Sequence, residues 1–461
     1  MRAFVAAGWV DVSVTRRSWL VRAGTLCVAT LGACAARDEH RLRLWAMGRE
    51  GQVVAELLQG FTQERPDIAV RVDQLPWSAA HEKLLTAFAG DATPDIAQLG
   101  NTWLAEFVAL GALQALQPAV VPQADYFPGI WATNVVGGQL FGVPWYVDTR
   151  LLFYRRDLLQ QAGHAAPATT WSAWVRQMQD IVQLGPTAAG TRRHALLLPL
   201  NEYDPLVALA MQHGEPLLRD GGRYGNFRSA AFVQTLDFVL GLYRSGLAPA
   251  ATNNQVANLW QEFARGSFSF YITGPWNIGE FRRRLPPELQ GAWATAPLPA
   301  PDAASTTSAA AAAPGAPGSS LAGGSSLAVF ARSKKKPEAL ALIEYLSRPL
   351  VQQRFHALTG NLPPRRSAWW SPALANDAPT QAFARQLEHV RPVPQVPEWE
   401  RIATELRIVL EQVVHGKLDA AQMPALLDAR ADQMLEKRRW MLQRAAAAAT
   451  AAVPAQRGAQ A

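Results

Sequence analysis

Apolar residues recur with two different periods in the first quarter of the chain, and the switches between them mark the expected elements. Leu42-Arg43-Leu44-Trp45 alternates as a short strand, whereas Val53, Val54, Leu57, Leu58 and Phe61 share one face of a helix expected over about 52–65. Pro66-Asp67 ends that helix, and the alternation of Ile68, Val70 and Val72 predicts a second strand over 68–75. A helix over about 79–89 and a third strand in Pro94-Asp95-Ile96-Ala97-Gln98-Leu99 follow, then a helix over about 103–110 that stops at Gly111. Strands alternating with helices imply βαβ units. The N-terminal part is therefore expected to be α/β, an open and mainly parallel sheet with helices on both faces.

The pattern changes over 137–157, where Gly142-Val143-Pro144-Trp145-Tyr146-Val147-Asp148 runs into an apolar strand at 151–154, read here as a crossing between two lobes. Helical periodicity then dominates about 171–184 and 230–243, and a short apolar strand over 268–272 is closed by Gly274-Pro275. The stretch 297–326 is poor in apolar bulk and rich in Ala, Pro, Gly and Ser, which predicts a loop. A strand at 327–330, a helix over 337–346 and helices over 402–414 and 421–442 complete the fold, with an Ala-rich low-complexity tail over 445–461.

With 461 residues, 49% of them hydrophobic, the chain exceeds one core and points to two domains. Its first 34 residues read differently. Arg16, Arg17 and Arg22 precede a short apolar run that ends in Leu31-Gly32-Ala33-Cys34, the layout of a cleavable secretory signal. The last four of these residues resemble a bacterial lipobox, which implies a thiol acylated at Cys34 and a mature protein held on a membrane, periplasmic or otherwise outside the cytoplasm. Thr15-Arg16-Arg17-Ser18-Trp19-Leu20 also resembles a twin-arginine signal, so the export route, general secretory or twin-arginine, stays open. The other cysteine, Cys27, lies in the discarded leader. That leaves the mature chain without a disulfide, a Cys-based metal site or a Cys nucleophile.

Part of the formal +7 belongs to Arg2, Arg16, Arg17 and Arg22 of the leader. The remaining basic runs, Arg282-Arg283-Arg284, Lys334-Lys335-Lys336 and Lys437-Arg438-Arg439, lack the interleaving of a nucleic-acid groove and read as solvated faces. Neither His-Glu-x-x-His, nor Gly-x-Ser-x-Gly with placed partners, nor a Walker-type phosphate loop is present. No catalytic residue, cofactor or metal is expected. One enzymatic alternative stays open, a lipid-anchored glycosidase with Glu50 and Asp148 about 5 to 9.5 Å apart. Tryptophan is the compositional oddity, sixteen against eight tyrosines. Flat indole faces with an N–H handle suit sugars, whose C–H faces are apolar and whose rims are polar, although a Trp-rich core accounts for the number as well.

Four blocks taken in order resemble the sugar-binding group of ABC-importer solute-binding proteins, which includes maltose-binding and trehalose/maltose-binding proteins. The first runs from Pro94-Asp95-Ile96 through Trp103 and Glu106 to Gly111-Ala112-Leu113. The second is Gly142-Val143-Pro144-Trp145-Tyr146-Val147-Asp148 with Leu152-Phe153-Tyr154-Arg155-Arg156-Asp157-Leu158-Leu159. The third is Phe263-Ala264-Arg265-Gly266 with Gly274-Pro275-Trp276, and the fourth joins Gly323-Gly324, Lys336-Pro337-Glu338-Ala339 and Thr359-Gly360-Asn361-Leu362-Pro363.

The resemblance implies a two-lobe periplasmic binding protein fold, α/β, with an open, mainly parallel sheet in each lobe and several hinge crossings. These are expected near 144–149, 297–300 and 360–363, giving lobe 1 as 35–145 plus 299–360 and lobe 2 as 146–298 plus 361–444. A sugar would sit between the lobes of a monomer that delivers it to an ABC permease with an ATPase subunit; the same fold also serves non-sugar solutes, which keeps that alternative open. The implied ligand contacts are Trp276 stacking on a sugar ring, Tyr146 and Asp148 in the cleft, Glu50 after the first strand and Arg391 in Arg391-Pro392-Val393-Pro394. Asn101 and Trp103 fall where the family uses an acid and an aromatic; Asn101 departs from that pattern, so its amide must meet the hydroxyl an Asp would take. Gly323 and Gly324 would let backbone approach the ligand, while turn geometry explains them equally well. Core packing for Trp276, a hinge brace for Asp148 and plain surface charge for Glu50 and Arg391 are the competing readings.

Overall fold

Every second residue of the first strand enters a different core, which fixes the layering of the first lobe. The computed structural model describes residues 40–252, 255–256, 258–302, 316–444 and 447; the leader with Cys34, the segment 303–315 and the tail beyond 444, residue 447 apart, lie outside the described residues. In β1 (Leu42–Met47), Leu42, Leu44 and Ala46 pack with Val53, Val54, Leu57, Leu58 and Phe61 of α1 (Gly48–Glu64). Trp45 and Met47 face the opposite way and pack with Ala80, Leu84 and Ala87 of α2 (Trp77–Ala89), which follows β2 (Val70–Leu75). The strand is covered on both faces, as a parallel strand between two helical layers should be.

After β3 (Ile96–Gly100) and the short α3 (Leu104–Ala109), the chain reaches β4 (Val143–Val147) and then β5 (Leu151–Arg155), which belong to different sheets. The second lobe adds α4 (Trp171–Gln183), β6 (Leu196–Leu197), α5 (Asp204–Met211), α6 (Ala230–Arg244), α7 (Leu259–Arg265), β7 (Phe270–Thr273), α8 (Trp276–Arg284) and β8 (Trp293–Ala296). Then come β9 (Ser320–Leu321), β10 (Gly324–Val329), α9 (Lys336–Leu346), α10 (Pro349–Thr359), β11 (Val390–Arg391), α11 (Trp399–Val414) and α12 (Met423–Met434). The last helix breaks at Leu435 and helix resumes over 436–444, where a single helix over 421–442 was expected.

The first sheet has the order β2-β1-β3-β10-β4; β1 pairs in parallel with β2 and β3, and β10 runs antiparallel to both β3 and β4. In the second sheet, β8-β5-β7-β6, β5 is antiparallel to β7 and β8, and only β7 with β6 is parallel. The expectation of a mainly parallel sheet in each lobe is corrected there. Its source is the apolar run of β5, in which Leu152 enters one core while Leu151 and Phe153 enter another. Burial on both faces gives such a run whether or not the neighbours are parallel.

Three passages lie side by side between the sheets. Asp148 N donates to Gly323 O at 3.1 Å, Thr149 Oγ1 to Leu321 O at 2.8 Å, and Val147 N to Leu362 O at 2.9 Å. The second passage therefore falls at 322–323, displaced from the 297–300 read in the sequence. Ala300 is held to the second lobe by Thr169 and Trp171 at 2.8 and 2.9 Å, and Leu298 N bonds Gln386 Oε1 at 2.8 Å. Leu298 and Leu321 both sink into the second-lobe core. Among the described residues no helix is long and apolar enough to cross a membrane.

Candidate functional site

The loops at the β1–α1, β2–α2 and β3–α3 junctions open on one end of the first sheet, where strand–helix junctions in such folds place ligands. Glu50 sits in the first turn of α1, 7% exposed, and accepts from Asn361 Nδ2 at 2.7 Å. Gly48, at φ +48°, leaves room for Trp77: a Cβ there would lie 2.9 Å from the indole Cδ1. Trp77 meets Trp103 edge-on with centroids 5.8 Å apart, and Gly100 allows the Trp103 ring to fold back within 3.3 Å of where its Cβ would be. These two indoles form an aromatic wall.

Asn101 is pinned by its N–H to Gly324 O at 3.1 Å and accepts from Ser326 Oγ at 3.0 Å, yet its Nδ2 is buried without a partner. A buried amide donor left unpaired costs free energy of roughly 1–3 kcal/mol and marks a place for an acceptor. Tyr146 is 7% exposed, and its hydroxyl receives Ser325 Oγ at 3.1 Å and Gln98 Nε2 at 3.4 Å. Burial, with the charge of Glu50 next, holds the phenol well above its usual range, so it stays neutral.

From the second lobe come Asp148, Arg150, Asp204 and Trp276. Arg150 pairs with Asp148 through Nη1 and lies 3.3 Å from Asp204 Oδ2 through Nη2, with its side chain only 10% exposed. Its guanidinium carbon lies 4.7 Å from the centre of the Trp276 ring, a cation–π contact. Burial raises the Asp148 carboxyl above its ordinary value, Arg150 opposes this, and Asp204 adds to it. For Arg150, burial works against the charge but the two acids outweigh it, which keeps the guanidinium protonated. Trp276 is 42% exposed, and its ring folds back over Gly274, where a Cβ would be 1.9 Å from Cζ3. The Gly-Pro-Trp spacing thus has a steric cause: only glycine fits beneath that indole.

Together these groups line a cavity of about 440 Å³ whose walls come from both lobes, a size suited to a small ligand. Eight of the residues named from sequence reach it: Glu50, Asn101, Trp103, Tyr146, Asp148, Trp276, Gly323 and Gly324. Arg391 does not. It lies on β11, paired with Leu321, and lines a separate cavity with Leu217, Val396 and Arg438; two residues on, Val393 faces the cleft. Arg391 thus stands in the wall of that separate cavity and not of the cleft, a placement that spacing alone did not reveal.

Sequence reasoning missed Trp77, Arg150, Asp204 and Asn361. A signal existed for Arg150, since residues i and i+2 of an extended segment share a face and Asp148 was already named. Trp77 carried one too, standing directly after Pro76 at a strand–helix junction. Thr102 and Glu400 close one rim: Thr102 Oγ1 donates to Glu400 Oε1, and Tyr203 Oη donates to Glu400 Oε2 at 3.3 Å. Among the described residues no group of three or more His, Cys, Asp or Glu could hold a metal ion.

Residues 47–353 match the family model described as bacterial extracellular solute-binding protein. The solved structure of the sugar-binding protein MalE from Xanthomonas citri is 49% identical, covers 87% of this chain and 99% of its own, and superposes with a TM-score of 0.81. The unliganded and acarbose-bound GacH receptor of Streptomyces glaucescens shares the fold at 22% identity, with a TM-score of 0.70 over 86% of this chain and 98% of its own. Among curated relatives, the galactooligosaccharide-binding protein of Bacillus subtilis is 23% identical over 86% of this chain and 93% of its own length. With the inter-lobe cleft, the three adjacent passages and a family match over most of its length, this chain belongs to the bacterial extracellular solute-binding proteins.

Proposed function

We propose that this protein binds a sugar in the inter-lobe cleft and delivers it, as the extracytoplasmic component of an ABC importer, to a membrane permease with its ATPase subunit. The observation that carries this is the pair of opposed aromatic walls, Trp77 and Trp103 from one lobe and the exposed Trp276 from the other, with Glu50, Asp148, Asp204, Arg150 and the unpaired amide of Asn101 between them. Indole faces take the C–H faces of a pyranose, and carboxylates accept from its hydroxyls by charge-assisted bonds. MalE of Xanthomonas citri and the galactooligosaccharide-binding protein of Bacillus subtilis are named for the same ligand class, which supports the reading.

A sugar touching both lobes binds the closed form better and shifts the population towards it. The closed shape is what a permease would select. Acylation at Cys34 would keep the protein at the membrane surface, where encounter with the permease is confined to a thin layer.

A thermal-shift and calorimetric screen of mono- and disaccharides tests the proposal. A true ligand raises the unfolding temperature by mass action. Trp276→Ala is expected to weaken the best ligand about ten-fold, roughly 1.4 kcal/mol. Unchanged affinity in that variant would remove the stacking role, and silence across the whole screen would remove the sugar.

A further inference from the structure

Arg391 and Arg438 are the two cations in the wall of a cavity of about 420 Å³ in the second lobe, separate from the cleft. Among the described residues neither guanidinium has an ion pair or a hydrogen bond. The same wall holds one acid, Glu215. Arg438, on the helix over 436–444, has its Nε buried without a partner beside Gly222, where a Cβ would lie 3.9 Å from Nε and from Nη2. Its terminal nitrogens are therefore what it offers to a ligand, as are those of Arg391. Like charges lining one concave space raise its potential, and an anion between them relieves that repulsion.

The wall facing these cations is built in advance. Gly221 and Gly222, at φ +66° and +78°, turn the hairpin over 218–225. Arg219 and Arg439 lie 4.7 and 4.8 Å from the centre of the Tyr224 ring, and Arg439 Nη1 donates to Arg223 O at 3.0 Å, which clamps the last helix to that hairpin. The acids nearby are engaged elsewhere. Asp432 Oδ1 accepts from Gly225 N at 2.8 Å, Asp428 Oδ1 from Phe227 N at 2.7 Å, and Asp220 pairs with Arg219 at 3.1 Å. Met211, Leu217 and Val396, with Pro216, Pro392 and Pro394, make the rest of the lining apolar. A guanidinium fork suits the oxygens of a carboxylate or phosphate, and an apolar lining suits an uncharged body behind them.

This cavity also adjoins the hinge. Arg391 O accepts from Ala322 N at 2.8 Å, and Arg391 pairs with Leu321; Leu321, Ala322 and Val393 all line the cleft. Gln395, in the cavity wall, donates Nε2 to Ala132 O at 2.9 Å. A ligand held by Arg391 is thus one strand pairing away from the passage at 322–323.

We infer that this cavity binds an organic oxyanion, a carboxylate or phosphate on a small apolar body, and that its occupancy is coupled through residues 391–393 to ligand affinity in the cleft. The anion site stands apart from the sugar reading; only the coupling rests on it.

Calorimetry with phenyl phosphate, benzoate, inorganic phosphate and neutral benzamide tests it, using wild type, Arg391→Gln, Arg438→Gln and Arg223→Gln. Phenyl phosphate and benzoate should bind wild type, inorganic phosphate at least ten-fold more weakly than phenyl phosphate, and benzamide not at all. Arg391→Gln and Arg438→Gln should each weaken phenyl phosphate about ten-fold. Arg223→Gln removes an exposed cation from the same hairpin but outside the cavity wall, and should leave that affinity within about two-fold. If Arg438→Gln lowers the unfolding midpoint, Arg391→Gln decides alone. Saturating phenyl phosphate should change the affinity of the best saccharide at least three-fold, the saccharide should change that of phenyl phosphate by the same factor, and both effects should vanish in Arg391→Gln. Binding of neither organic anion, equal binding of benzamide, inorganic phosphate as tight as phenyl phosphate, or equal losses in Arg223→Gln and Arg391→Gln would overturn the site. Anion binding at Arg391 with no change in saccharide affinity would overturn the coupling. Binding of no saccharide at all would overturn the sugar reading and the coupling with it, while the anion titration still decides the site.

Discussion

At Gly323 a Cβ would lie 2.1 Å from the carbonyl oxygen of Asp148, and at Gly324, where φ is +131°, 2.2 Å from that of Tyr146. Backbone crowds these glycines from behind, and their lack of a side chain lets the passage at 322–323 lie against the one at 148–150. Gly324→Ala should therefore cost stability, about 2 kcal/mol or more from the φ strain and the overlap together. Chemical denaturation would measure it, and a midpoint unchanged from wild type would mean that the two passages separate freely. The site was legible in the sequence wherever a small residue and an aromatic stood at fixed spacing, as in Gly274-Pro275-Trp276 and Gly100-Asn101-Thr102-Trp103, because the glycine is what lets the ring fold back. It was not legible where a charge acts through a partner far along the chain. Asp204 lies 3.3 Å from Arg150 across more than fifty residues, and Asn361 reaches Glu50 across 311.

Elements with a dense apolar face were legible, and those with a sparse one were not. The face of α1 was read from Val53 to Phe61, whereas α10 buries only Gln352 and Phe355 and gave no usable period. The start of β10 was also missed, since Gly324-Ser325-Ser326 carries no alternating bulk although all three pair with β4. Strand direction in the second sheet depends on long-range pairing that local pattern does not encode. Between α2 and α3 one contact joins helix packing to pH. His81 Nε2 lies 2.7 Å from Glu106 Oε2, and the imidazole lies tilted against the Trp103 ring with centroids 5.0 Å apart. The bond to Glu106 raises the His81 value, partial burial opposes it, and the charges of Glu106 and Glu400 add to it. A histidine whose folded value is raised contributes stability that is fully present below its unfolded value, about 6.5, and lost as pH rises through the folded value. The stability difference between wild type and His81→Gln should thus be largest in mildly acidic buffer and shrink as pH rises through the raised folded value. A difference that stays constant across that window, followed by urea unfolding at each pH, would show that the pair is not ionic.

The two lobes touch at the rim as well as through their passages. Glu400 in the first turn of α11 accepts from Thr102 of the first lobe and from Tyr203 of the second, so one carboxylate ties the lobes together. A helix N-terminus also favours negative charge at that position. Such a tie stabilises the closed arrangement without contacting the ligand, and the apparent affinity of any ligand of the closed form scales with the fraction already closed. Glu400→Ala removes the tie and leaves the hinge hydrogen bonds at Asp148, Thr149 and Val147 in place. The variant should keep its unfolding midpoint close to wild type, scatter X-rays with a larger radius of gyration in the absence of sugar, and regain the wild-type profile when saturated. Its dissociation constant should rise about three- to ten-fold, the factor expected if a rim contact of roughly 1 kcal/mol sets the closed population. If ligand-free Glu400→Ala and wild type gave superimposable profiles and equal affinities, the hinge alone would govern closure, and the Thr102–Glu400–Tyr203 bridge would be only a consequence of the lobes having met.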